Sequence, residues 1–343
     1  LTVGNVLYYD YRLGGKPQAV FGDPRKARMR VPDDILKCNV FLCVHTGKDF
    51  EPGGTAYFVS VPSETTAGLY AYLVTAKHCI IQAKQKYGDL FIRLNRRDGG
   101  LQLIRIDSDW IFPEDTSVDL AVLPIALDTA NLDVKFVDKS LMATPEILDL
   151  HSIGIGDEVF ISGLFTKHYG TKKNIPIVRS GIIAAMPDEP VQDRTTGLSY
   201  SAYLIEARSI GGLSGSPVFV HLSHVRPSKD GNIMFGSDLI FLIGTIRGHW
   251  DHLEPQWQTT VDFVKELEQV NMGIATATPS TELHKIIFGD RLVEHRKKHD
   301  EEIKKKLGTT SDSEFPERQM SKEEFEEALK KASRKIDSSQ KPQ

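Results

Sequence analysis

The chain has 343 residues, of which 40% are hydrophobic, with 42 Lys+Arg against 46 Asp+Glu and a formal net charge of −4. That length suggests roughly two domains, and that apolar share is enough to build packed cores. The charge balance argues against a chain built to coat nucleic acid, and no apolar run nears the roughly 18 residues that a membrane helix needs.

Residues 1–34 read as an irregular N-terminal extension, with Gly14-Gly15 and a basic stretch from Arg25 to Arg30. From Ile35 to about Pro279 short apolar runs alternate with turn residues. Phe41–Val44, Ala56–Val59, Tyr70–Val74, Leu90–Leu94, Leu101–Ile106 and Asp119–Pro124 have strand length, as do Glu158–Ser162, Tyr203–Ile205, Pro217–Val220 and Leu239–Ile246. Asp98-Gly99-Gly100 between two runs is a hairpin signal. Many short strands at this spacing predict an all-β barrel or sandwich. Three cysteines are too few for a disulfide framework. Cys38 and Cys43, five apart, fall on opposite faces of one strand and read as packing residues. Together with the lack of a secretory signal at Leu1, this makes the cytoplasm the expected compartment, although a chain starting with Leu leaves room for a leader upstream.

The texture changes near Pro279. Ser280 reads as the cap of a helix starting at Thr281, with Leu283, Ile286 and Ile287 on one face. Residues 290–343 read as a charged helical tail, half of whose residues are charged. Glu301–Lys306 is predicted helical. Gly308–Pro316 reads as a linker, and Ser321–Glu324 as a capping box before a face of Phe325, Ala328, Leu329, Ala332 and Ile336. The tail is expected to be a solvated appendage, with a partner-docking arm as the second reading.

Three segments carry chemistry. In Leu73–Cys79 a strand runs into His78, followed by a helical turn at Ile80–Lys86. Histidine titrates near neutral pH and suits general base work, though a single one is more often structural. In Ser117–Leu123, Asp119 heads an apolar strand; a buried carboxylate is costly unless paired, and an imidazole is a natural partner. In Gly211–Phe219, Ser214 sits in a glycine-rich turn before an apolar strand. Attack on a carbonyl creates an oxyanion that needs backbone N–H donors, and flanking glycines keep side chains out of their way.

Taken together, the order His78, Asp119, Ser214 with these flanks resembles the trypsin-like serine peptidases of the chymotrypsin fold. The colinear segments Gly154–Gly163, Val178–Ala184, Leu242–Ile246 and Met272–Ser280 resemble the protease domain of bacterial HtrA-like members. No PDZ-like segment is recognisable after residue 290. The resemblance implies two six-stranded antiparallel β-barrels, at about 35–130 and 150–289, within a peptidase domain of 35–289. It also implies serine endopeptidase activity with a catalytic triad of His78, Asp119 and Ser214, and an oxyanion hole from the N–H groups of Gly212 and Ser214. Substrate is expected to add as a strand along Arg247, Gly248 and His249, beside a pocket walled by Arg208, Ser209, Ile210 and Gly211. Arg208 and Arg247 raise an acidic preference, against the plainer expectation that both point to solvent.

The sequence departs from the family at four places. Pro52 stands where secreted members carry the cysteine that pairs with the one after the histidine. Leu213 precedes the nucleophile where zymogen-activated members have an acid. Ser216 replaces a more usual glycine, and Trp250–Gln269 is longer than the matching loop of compact members. The expected partner is a polypeptide substrate, with no nucleic acid, no membrane and no cofactor. His221-x-x-His224 and His249-x-x-His252 have ligand-like spacing, but without a cysteine pair or a helical H-E-x-x-H pattern no metal is expected. The alternative reading is a catalytically silent homologue that binds a peptide or partner through the same cleft.

Overall fold

The computed structural model describes residues 7–10, 18–21, 31–66, 68–192, 197, 199–207, 212–223, 225–227, 233–235, 239–252 and 270–309. Within the segment read as irregular, β1 (Leu7–Asp10) and β2 (Gln18–Phe21) pair as an antiparallel two-stranded sheet. A short helix α1 (Asp33–Lys37) leads into β3 (Asn39–His45), β4 (Phe50–Pro62) and β5 (Leu69–Thr75). Helix α2 (Lys77–Tyr87) follows, then β6 (Phe91–Asn95), β7 (Leu101–Arg105), β8 (Ala121–Ile125) and β9 (Val137–Asp138). Asp98–Gly100 is the β6–β7 hairpin turn, with Gly99 at φ +85° and the Asp98 carboxylate accepting the Gly100 N–H.

Helix α3 (Pro145–Leu150) precedes the second half of the fold. Its strands are β10 (Glu158–Gly163), β11 (Ile177–Ala185), β12 (Val191–Gln192), β13 (Ser199–Tyr200), β14 (Tyr203–Glu206) and β15 (Pro217–Leu222). They continue with β16 (Val225–Pro227), β17 (Ile233–Phe235), β18 (Leu239–His252) and β19 (Val270–Pro279), before α4 (Ser280–Ile287) and α5 (Asp290–Thr309). The protein is mainly β. Strands β10-β11-β14-β19-β18-β15 form a closed antiparallel barrel, and β7-β6-β3-β4-β5-β8 form a second antiparallel sheet, with β9 joined in parallel to β4.

Only the second of the two expected barrels closes in its hydrogen bonding. The first sheet ends at β7 and β8, and no ladder joins those edges. After β7 the polar run Asp107–Asp109 leaves the strand path. The chain then touches β8 through a single bridge, Ile111 to Val122. Pro113, two residues on, has no N–H with which to extend the pairing.

Both faces of the central strands are buried, which explains why they read as nearly unbroken apolar runs. On β4, Ala56 and Phe58 point into the core of the first sheet, whereas Tyr57, Val59 and Val61 point the other way. Strand β5 divides likewise, with Leu73 inward and Tyr72 and Val74 outward. On the closed barrel, Val218, Val220 and Ile243 fill its interior, while Phe219 and Leu242 face outward. The outward sets meet in a third core, completed by Leu283 and Ile287 of α4 and Leu292 of α5. Tyr57 Oη and Thr245 Oγ1 hydrogen-bond at 2.7 Å and Asn39 Nδ2 donates to Ser162 Oγ at 2.8 Å, tying the two halves together with buried polar bonds.

Ser280 does not cap α4. It is the helix's first residue, and its hydroxyl donates to the Ala143 carbonyl at 2.7 Å. The chain divides into two compact units, residues 1–297 and 298–343. Of the second, residues 298–309 are described and are helical. The expected capping box and the face from Phe325 to Ile336 lie outside the described residues. No helix among the described residues is long and apolar enough to cross a membrane.

Candidate active site

Strand β5 buries Leu73 and Val74 and leaves the sheet at Thr75. Ala76 is extended and offers no side-chain cap to α2, so the first turn of that helix has N–H groups in need of acceptors. His78 lies in this turn. Its backbone N–H donates to Asp119 Oδ1 at 2.9 Å, and its ring Nδ1–H donates to Asp119 Oδ2 at 2.7 Å. One carboxylate therefore caps the helix and orients the imidazole. A negative charge suits a helix N-terminus electrostatically.

Asp119 is buried between Val118 and Leu120, just before β8. Burial works against its charged form. The hydrogen bonds and charge of His78, with the charge of Arg247, outweigh that and hold the carboxyl below the ordinary 3.8. Burial also disfavours the imidazolium of His78, but its bonds to Asp119 and Cys79 prevail and push its pKa up to about 10. Ring Nε2, the atom turned away from Asp119, has Cys79 Sγ at 3.5 Å.

Ser214 comes from a turn whose two flanking glycines have left-handed backbone, Gly212 at φ +99° and Gly215 at φ +83°. Leu213 is fully buried in the core of the closed barrel, which anchors the turn from below. Ser216 closes it, its N–H donating to the Leu213 carbonyl at 2.9 Å. Among the described residues, neither the Gly212 nor the Ser214 N–H donates to a backbone carbonyl, so both amides are free of the sheet ladder. The Ser214 hydroxyl donates a long 3.5 Å bond to the Arg247 carbonyl. Ser214 and His78 line one cleft of about 340 Å³, whose other walls include Leu42, Gly54, Cys79 and Gln82.

Of the expected substrate strand, Arg247 and Gly248 are described in full and His249 in its backbone. Strand β15 pairs with β18 only as far as Thr245, opposite Pro217. From Arg247 on, the edge of β18 away from β19 has no strand partner among the described residues. The β18–β19 register shifts between Ile246 and Gly248, which puts Arg247 at a bulge. Its guanidinium lies 3.6 Å from the Tyr200 ring centroid and donates to the Ser117 carbonyl at 2.8 Å. These contacts leave the side chain half-buried between Ser117 and Tyr200 rather than wholly in solvent. Arg208, Ser209, Ile210 and Gly211 lie outside the described residues, as do His224 and residues 253–269 of the long loop.

Cys38 and Cys43 are buried free thiols in different cores, but not on one strand as their spacing suggested, since Cys38 ends α1 and only Cys43 lies on β3. Burial pushes both up, Cys43 to about 12, which keeps them protonated and unreactive. Among the described residues no group of three or more His, Cys, Asp or Glu side chains could hold a metal ion. Sequence reasoning missed Thr55, Tyr200 and the Ser117 carbonyl. Thr55 had a local signal, the preceding Gly53-Gly54 at the start of a buried strand. The other two depend on contacts across the fold.

No family model matches the chain, and no curated protein matches it. Among solved structures it is similar to the crystal structure of Deg5, at 14% sequence identity and a TM-score of 0.40, over 74% of this chain and 88% of that one.

Proposed function

We propose that the chain is a serine-type endopeptidase acting on polypeptides. What carries this reading is that Asp119 grips His78 at both ring and backbone in the cleft that also holds Ser214. Three segments far apart in the chain thereby supply one region with the residue types that acyl transfer needs, which supports the reading. The substrate adds as a strand along the open edge of Arg247–His249. The Ser214 hydroxyl turns from the Arg247 carbonyl toward Nε2 of His78 and attacks the scissile carbonyl carbon, while Nε2 takes its proton. The resulting oxyanion accepts from the N–H groups of Gly212 and Ser214. As the C–N bond breaks, His78 returns the proton to the leaving amine. Water then attacks the Ser214 ester, His78 takes the water's proton, and the serine oxygen leaves with it. Asp119 remains ionised throughout and holds the proton on Nδ1.

Active-site labelling with a fluorophosphonate tests the reading. Wild type is expected to be labelled and Ser214→Ala, equally folded, not at all. Equal labelling of both would remove Ser214 from the role. The reading of a silent homologue draws on Cys79 Sγ at Nε2 and on the Ser214 hydroxyl resting on a carbonyl; a wild type that binds peptides but takes no label would favour it.

The pair also sets a pH dependence. Only neutral His78 can accept the serine proton, and its pKa is raised above the ordinary 6.5. The labelling rate is therefore expected to keep rising with pH beyond 8. A rate already level at pH 7 would show that Asp119 does not raise it.

A further inference from the structure

We infer that Thr55 is a positioning residue that clamps the nucleophile turn onto the strand leading to the histidine, an inference that rests on the peptidase reading above. Thr55 is fully buried on β4, and every polar group it has is engaged at this junction. Its N–H donates to the Ser214 carbonyl at 3.0 Å. Its hydroxyl donates to the Gly212 carbonyl at 2.7 Å and accepts the Leu164 N–H at 2.9 Å. Its own carbonyl accepts the Thr75 hydroxyl at 2.6 Å, three residues before His78. One residue of the first sheet thus holds the carbonyls on both sides of Leu213 and touches the strand that delivers the base.

The geometry gives this arrangement a direction. The two amides assigned to the oxyanion belong to Gly212 and Ser214, and Thr55 grips the carbonyl of each of those residues. Each of those N–H groups is joined to its gripped carbonyl through the φ and ψ of a single residue, so fixing the carbonyls narrows where the amides can point. The turn is pressed tightly onto the clamp, since a Cβ on Gly215 would overlap the Thr55 carbonyl and the Thr75 hydroxyl. A backbone N–H or carbonyl belongs to any residue at this position. The bond to Gly212 and the one from Leu164 need a side-chain hydroxyl, which Ser supplies and Val does not.

The experiment compares fluorophosphonate labelling of wild type, Thr55→Ser, Thr55→Val and Thr55→Cys, separating the maximal labelling rate from the probe's half-saturating concentration. Thr55→Ser is expected to stay within about threefold of wild type, whereas Thr55→Val loses up to about 100-fold in maximal rate, the scale of an ångström-sized misplacement. The half-saturating concentration stays unchanged. Thr55→Val labelled at the wild-type rate would overturn the inference, as would a Thr55→Ser variant as slow as Thr55→Val. Should Thr55→Val not fold, Thr55→Cys, with a weaker donor and acceptor, carries the same expectation of a slower maximal rate, and wild-type labelling there would overturn it. A wild type that takes no label sinks the peptidase reading instead. Amide exchange at Leu164 and Ser216 then decides the clamp, faster exchange in Thr55→Cys supporting it and unchanged exchange overturning it.

Discussion

Asp119→Asn is expected to cut fluorophosphonate labelling of Ser214 by about ten-thousandfold while leaving the protein folded, the scale of that exchange in a serine peptidase triad. The geometry fixes which way the new amide turns. The His78 backbone N–H needs an acceptor, so the amide oxygen faces it, in the place of Oδ1 at 2.9 Å. The amide nitrogen is then left opposite Nδ1, where Oδ2 sits at 2.7 Å. An N–H₂ group there donates to Nδ1 and drives the ring proton to Nε2, the atom that has to accept the serine proton. The base is lost through the wrong tautomer, while the cap of α2 survives.

The same substitution carries a stability signature. His78 has a raised folded pKa, so its contribution is complete below its unfolded value of 6.5 and fades as pH climbs through the folded value of about 10. Asp119 has a lowered one, so its contribution is present above its unfolded 3.8 and fades as pH falls through the folded value. The stability gap between wild type and Asp119→Asn is therefore expected to be widest between about pH 4 and 6.5 and to narrow on both sides. Denaturant titrations across pH read this directly. Labelling of Asp119→Asn within tenfold of wild type would remove the carboxylate from the mechanism.

Gly215→Ala is the second large effect. Gly215 sits at φ +83°, a conformation that costs an L-residue about 1–2 kcal/mol. Its new methyl would also collide with the Thr55 carbonyl and the Thr75 hydroxyl, with the Ala76 nitrogen 3.1 Å away. None of these is the loose end of a flexible side chain, and the hydroxyl is itself tied to that carbonyl. The turn has to lift, adding about 1–3 kcal/mol of overpacking. A total loss of about 2–5 kcal/mol is expected in denaturant unfolding, with labelling at least about 100-fold slower in the folded fraction. Gly154→Ala is the matched control, because a Cβ there meets nothing within 4 Å and its φ is not positive. Similar stabilities for the two variants would contradict the close approach of turn and clamp.

Much of the molecule was legible from local pattern. Strand positions followed from apolar runs and turn residues, and the β6–β7 hairpin from Asp98-Gly99-Gly100, because an aspartate and two glycines prefer that geometry whatever surrounds them. The segments around His78, Asp119 and Ser214 stood out for the same reason, each being an unusual residue set against a strand or a glycine turn. Where reading failed, a neighbour distant in sequence had intervened. Ser280 looked like a cap, but the Ala143 carbonyl, 137 positions away, takes its hydroxyl. Arg247 looked free until Ser117, 130 positions away, and Tyr200 took its guanidinium. The first barrel looked closed because strand count alone says nothing of whether its edges meet.

The sequence by itself determined the β character, the strand positions and the three residue types that the proposed chemistry needs, since these depend on periodicity and on each residue's own conformational preferences. Only the tertiary structure decided that Asp119 caps α2 while holding the ring, that the first sheet stays open and that Thr55 joins the two halves. Thr55 reaches Gly212 across 157 positions and Tyr57 reaches Thr245 across 188. Bonds of that span exist only once both cores have packed and brought their surfaces together. No local stretch of sequence encodes them.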